Sequence, residues 1–135
     1  MAEIQAKTLA ESACWWVKQD RERFRKMKSL VRLEMNRGNP RVQEGDIILL
    51  AKQCGLDWAT DDDFRRDHNI WAVLTRYMVM TDYKLARVLH FRKSKVDDID
   101  LARVWHENVD CNTFFQASSW REAKEMCESE DGGAA

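Results

Sequence analysis

The sequence predicts an all-α fold, a compact single-domain bundle of about five or six helices over residues 1–135. Apolar residues recur at three- and four-residue spacing and nowhere alternate with period two. A single proline and five glycines punctuate the 135 residues, so a helix once begun has few reasons to stop. Ser, Thr or Asp heads most of the periodic runs, where its side chain can accept from a free helix-terminal N–H. At 44 % apolar and 33 % charged residues, the chain has the balance of a folded protein and the length to bury a core without disulfides or metal.

Thr8, with Glu11 three residues on, has capping-box spacing and predicts a first helix from about residue 9 to Asn36. Ala13, Trp16, Val17, Phe24, Met27, Val31 and Met35 form its apolar stripe, which Asp20 alone interrupts. Arg37-Gly38-Asn39-Pro40 ends it, because glycine permits the reversed cap and proline cannot continue. Asp46 is positioned to cap a second helix, IILLAKQC, that Gly55 terminates. After a loop containing Trp58, Thr60-Asp61-Asp62-Asp63 opens a third stretch, broken near His68-Asn69, that continues through IWAVLTRYMVM. That last segment is apolar on most sides and predicts the central helix. Thr81 or Asp82 caps DYKLARVLH, and Ser94 caps KVDDIDLARVW. Asn108 to Ala117 reads as loop, and Ser119-Trp120-Arg121-Glu122 is a second capping box that starts a closing helix. Residues 1–7 and 128–135 are expected to fray.

The net charge of −1 conceals a gradient: residues 1–59 hold 11 basic and 8 acidic side chains, residues 60–135 hold 11 and 15. That excludes a global attraction to nucleic acid and leaves room for a local one. Cys14, Cys54, Cys111 and Cys127 lie far apart, and MAEIQAKTLAE lacks an apolar leader core, so reduced thiols and a cytoplasmic location are expected. The longest apolar stretch runs about 11 residues, short of the about 20 that cross a bilayer.

One window carries a motif. In KLARVLHFRKSKVDDI, residues 84–99, the apolar set is Leu85, Ala86, Leu89, Phe91, Val96 and Ile99, and Ser94 with Asp97 has capping spacing. Over residues 82–103 this pattern resembles the helix-turn-helix of phage-repressor-type DNA-binding proteins. The resemblance implies that Ala86 lets two helices cross closely and that the helix from Ser94 to about His106 enters the major groove. Arg92, Lys93 and Ser94 would then stand at the groove entry with Lys95 nearby, and Arg103 further along the same helix. Arginine can pair with both O6 and N7 of guanine, while lysine and a helix N-terminus suit phosphate. A homodimer follows if the target is a palindrome. His90 stands where the family places its turn glycine. Asp97 and Asp98 occupy groove-facing positions, although acids in a first helical turn also favour the helix dipole.

A second feature is a basic stripe. Lys18, Arg21, Arg25, Lys28 and Arg32 lie three or four apart on one flank of the first helix, which carries no acid there. Such a flank either tracks a phosphate backbone or docks on an acidic protein, or else pairs with acids elsewhere in the fold. Of six tryptophans, Trp71 belongs to the core. Trp15 and Trp16 point about 100° apart on one helix, which puts Trp16 on the apolar stripe and leaves Trp15 as a candidate protein anchor.

No CxxC, HExxH or glycine-rich phosphate loop is present, so no metal, cofactor or catalytic site is expected. Asp63 and Asp67 share a helical face with Arg65 and Arg66 to neutralise them, and the His106-Glu107-Cys111 neighbourhood lacks zinc spacing. The work expected of this chain is therefore binding. The leading expectation is a helix-turn-helix DNA-binding regulator. The alternative is a non-catalytic inhibitor or adaptor, of the mobile-element kind, that docks an acidic protein through the basic first helix and Trp15. A structural assembly subunit is a third class and would expose a large apolar patch.

Overall fold

The computed structural model describes residues 2–56 and 68–133, with side chains for 5–56 and 70–130. Trp58, the Thr60–Asp63 helix start, the Asp63/Asp67 pair and the His68 side chain lie outside the described residues. Those residues form six α-helices, two 3-10 helices and no strand: α1 (Ala2–Gln19), α2 (Arg21–Asn36), α3 (Glu44–Gln53), α4 (His68–Thr81), the 3-10 helices Tyr83–Arg87 and Lys95–Asp98, α5 (Leu101–Asn108) and α6 (Trp120–Gly133). No described helix is long and apolar enough to cross a membrane.

The centre is α4, as its composition predicts. Val73 to Met80 are all buried, including Thr75 and Arg76. Around α4 pack α1, α6 and the first 3-10 helix, while α1 also carries α5 and the second 3-10 helix, and α3 leans on α2. α1 presents Ala6, Ala10, Ala13, Cys14 and Val17 inward, all buried, and such small side chains let its backbone approach its neighbours closely. Trp105 is the aromatic hub: its ring lies 4.9 Å from Tyr77, 5.5 Å from Phe24 and 6.0 Å from Phe115. The Tyr77 hydroxyl donates to the Leu101 carbonyl at 2.7 Å and receives the Cys14 thiol at 3.5 Å. Burial, slightly offset by the bond to Tyr77, pushes that thiol up to about 11. Trp71, expected in the core, is only partly buried against it.

The long first helix is two helices. Asp20, the one polar break in the stripe, leaves the helical region (φ −157°, ψ 97°) and caps α2 by accepting from Glu22 N at 3.1 Å. Aspartate gains more from capping than from a helix interior. Arg23 closes the other side of the break: its guanidinium covers the Trp16 carbonyl at the end of α1 and lies 4.0 Å above the Trp16 ring. At the N-terminus α1 begins at Ala2, so Thr8 sits inside the helix rather than at its cap. Helix extends through residues expected to fray at both ends, since Ala6 is buried and Tyr83 hydrogen-bonds Glu130 on α6. The two predicted glycine stops are the two positive-φ residues among those described, Gly38 (94°) and Gly55 (72°). Asp46 caps α3 from its third position, its carboxylate accepting from Gln43 N at 2.9 Å.

The window at 82–103 differs from the expectation of two α-helices. Asp82 caps only the five-residue 3-10 helix, and Ser94 only the four-residue one. Ile99 is then extended (φ −115°, ψ 160°), and Asp100 caps α5 by accepting from Arg103 N at 3.1 Å. Asp97, Asp98 and Asp100 crowd four positions, and two of them accept backbone N–H groups here, which punctuates the run that periodicity alone would have continued.

A candidate binding groove with a cationic rim

The break at Asp20 sets the direction of α2 and with it the basic stripe. Three of its five cations meet carboxylates: Arg21 with Asp110 at 2.6 Å, Arg25 with Glu22, and Arg32 with Asp82 through two bonds of 3.1 and 2.9 Å. Lys28 donates to the Thr81 hydroxyl at 2.8 Å. Through Arg21, Lys28 and Arg32 the stripe is thus largely a seam that stitches α2 to the end of α4 and to the 109–119 loop, the pairing with acids elsewhere in the fold that was one of its readings. Lys18 lies across the break on α1, exposed and without a partner among the described residues.

Where that seam meets the loop, the surface is concave. A cavity of about 230 Å³ has Val17, Phe24 and Trp105 as its apolar floor, Arg21, Arg25 and Lys28 along its rim, and Phe114 with Thr81 and Thr113 closing it. Among the described residues none that bears a carboxylate lines it. Lys28 is the most enclosed of the three cations, and burial, reinforced by Arg32, pulls its ammonium below the usual lysine range. Asp82, itself paired with Arg32, offsets this only in part.

The loop that carries Phe114 is held rigidly. Asp110 accepts from Asn112 N at 2.9 Å and from Thr113 N and Oγ1 at 2.7 and 2.8 Å, while also pairing with Arg21. Partial burial raises its carboxyl, but the Thr113 and Asn112 donors and the Arg21 charge outweigh that and hold it below the ordinary aspartate range. Trp105 Nε1 donates to Thr113 Oγ1 at 2.9 Å, and His106 Nε2 meets Thr113 O at the same distance. Phe115 therefore turns into the aromatic core and its neighbour Phe114 outward, 79 % exposed. Trp15, 53 % exposed where Trp16 is 5 %, donates to Asn108 Oδ1 at 3.1 Å at the head of the same loop. Two exposed aromatic rings and three cations thus border one short segment.

The Arg92–Lys95 set lies elsewhere. Lys95 donates to Gln5 on α1 at 3.3 Å, whereas Val17 of α1 lines the groove, a separation of about 18 Å along the helix at about 1.5 Å per residue. Arg92, Lys93 and Lys95 are exposed and Ser94 is half-buried. Arg103 does not join them: it pairs with Glu107 at 2.9 Å and lines a cleft with Asp98 and Asp100. Asp97 points inward, to Arg76 at 2.7 Å.

Phe114 and Asp110 escaped the sequence reading because Asn108–Ala117 has no periodicity. Asp110 followed by Asn112-Thr113 is the signal that could have found them, since an aspartate whose side chain takes the next backbone donors marks an ordered turn. No family model matches this chain, and no curated protein or solved structure was found to resemble it.

Proposed function

We propose that this chain is a non-catalytic protein-binding module, an inhibitor or adaptor that docks an acidic segment of its partner in the groove between α2 and the 109–114 loop. The observation that carries the reading is the lining itself: three cations, two of them paired with acids outside it (Arg21 with Asp110, Arg25 with Glu22), no carboxylate among its described residues, and an apolar floor beside a Phe114 side chain left 79 % exposed. A partner aspartate or glutamate would complete the charge environment of Lys28, and an adjoining apolar side chain would cover Phe24 and Trp105. Arginine and aromatic residues grouped at one rim have the composition of interface hot spots. Trp15, bonded to Asn108 at the head of the same loop, is a second exposed aromatic side chain open to a partner.

Base reading by the 82–103 window would draw on a pair of α-helices, whereas two short 3-10 helices stand there; that difference supports placing protein binding ahead of a DNA-binding regulator. Selection of a random displayed peptide library on the immobilised protein tests the proposal. Enriched sequences should combine Asp or Glu with an aliphatic or aromatic residue, and Phe114→Ala or Arg25→Glu should weaken them at least tenfold. Enrichment of basic sequences, or binding indifferent to both substitutions, would refute it.

A further inference from the structure

The loop Phe91–Lys95 is irregular in backbone yet fixed from beneath. Arg76, 3 % exposed, donates to the Arg92 carbonyl at 2.9 Å and to Asp97 Oδ1 at 2.7 Å. Asp97 in turn accepts from Ser94 N at 2.8 Å. Phe91 is drawn inward, its ring 5.2 Å from the Arg76 guanidinium and stacked at 5.3 Å on Trp120. One buried ion pair thereby holds both ends of the segment that carries Arg92, Lys93 and Lys95.

Those three cations face outward, and none meets a carboxylate among the described residues. The two nearest acids in sequence are turned away: Asp97 serves Arg76, and Asp98 lines a separate cleft with Lys7 and Arg103. Beside the loop runs an open groove against the first turns of α1, where Gln5, Lys93, Ser94 and Lys95 border the apolar Ala6, Leu9 and Val96, with no carboxylate among the described lining residues. A hydroxyl and an amide therefore accompany the charges, the donor types that meet phosphate and sugar oxygens along a nucleic-acid strand.

We infer that the loop Arg92–Lys95 is a preorganised phosphate-binding element that grips the backbone of duplex DNA without reading its sequence. The open groove suits a continuous strand better than a single phosphorylated side chain, which a closed pocket would take. A lipid surface is disfavoured because Phe91, the large apolar side chain of the loop, is tucked inward instead of projecting. The site uses none of the residues of the α2 groove and stands or falls independently of it. With both occupied, the chain would hold a protein partner and a DNA backbone at separate positions along α1.

The test is fluorescence anisotropy of a labelled random-sequence DNA duplex across a salt series, with the intact chain. Three phosphate contacts predict a slope of log affinity against log salt of about −2.7, hence about 40-fold weaker binding at 200 mM than at 50 mM salt. A variant carrying Arg92→Gln, Lys93→Gln and Lys95→Gln should lose the binding while keeping its far-UV circular dichroism, because all three side chains are exposed. Two unrelated duplex sequences should bind equally, and vesicles carrying anionic phospholipids or a phosphoserine peptide should not compete at equal phosphate concentration. Binding that the triple variant retains, a several-fold preference for one duplex, or stronger competition by vesicles or phosphopeptide would each overturn the inference, as would no binding at 50 mM salt.

Discussion

Asp97→Asn, a change of one side-chain atom, should destabilise this protein strongly. Arg76 is 3 % exposed and the Asp97 side chain 12 %, so water cannot replace the lost partner. The guanidinium gives two bonds to the carboxylate, at 2.7 and 3.2 Å, one to Ala72 O at 2.8 Å and one to Arg92 O at 2.9 Å. Asparagine would turn an N–H₂ toward those donors and leave a buried positive charge uncompensated, a change that costs about 3–5 kcal/mol. For a chain of this size that is a fall in Tm on the order of 10–20 °C. Urea unfolding followed by far-UV circular dichroism at pH 7 should show the midpoint shift at an unchanged m-value. Replacing both partners by Arg76→Met with Asp97→Leu should recover part of the loss, because no charge is then buried alone, although the Arg92 carbonyl loses its donor. A loss below about 1 kcal/mol for Asp97→Asn would mean that the pair is screened like a surface one, and the account of a clamped loop would fail.

Acid should act through the same groups. Arg76 and its companion donors outweigh burial and hold Asp97 below the ordinary aspartate range, and Asp110 is held low likewise. Their stabilisation is therefore complete above the unfolded value of about 3.9 and is lost as pH falls through the folded values. The gap between the urea midpoints of wild type and Asp97→Asn should be constant above about pH 5 and narrow progressively as the pH falls below about 4; a gap unchanged down to about pH 2 would contradict this. Asp20→Ala removes the cap that starts α2 and should cost about 1 kcal/mol in the same melts, with no change meaning that the α1–α2 break is held by packing alone. Phe114→Ala should alter stability by less than about 0.5 kcal/mol, because the ring is 79 % exposed, while weakening a selected acidic peptide at least tenfold in calorimetric titration. A disulfide-exchange reagent should modify Cys54 and Cys111 rapidly in the native protein, and buried Cys14 and Cys127 only after unfolding; early modification of Cys14, whose thiol sits at about 11, would show that α1 opens.

The helical class, the central α4 and both glycine stops were legible because they rest on periodicity and on φ, which are local properties. The break at Asp20 was visible as a polar residue in an apolar stripe, but its meaning depended on Arg23 reaching back to cap Trp16 O, a contact no spacing rule contains. The stripe on α2 was readable as a geometric row. Which distant acids it meets was not, because Asp82 and Asp110 lie 50 and 89 residues away from Arg32 and Arg21 in sequence. Arg76 interrupts the apolar run IWAVLTRYMVM and Asp97 reads as a first-turn acid; only the fold joins the two. The groove was hidden for the same reason, since its lining comes from α1, α2, α4, α5 and a loop without period.

The central claim, that the α2 groove receives an acidic apolar segment, is tested most directly by mapping amide chemical shifts of the isotope-labelled protein during titration with the best peptide from the random library. The account predicts that the largest shifts fall on residues 17–28, 105 and 113–114, with fast weak exchange restored by Phe114→Ala. Shifts centred on 92–95 or on the exposed side of α3, with residues 17–28 unmoved, would contradict it.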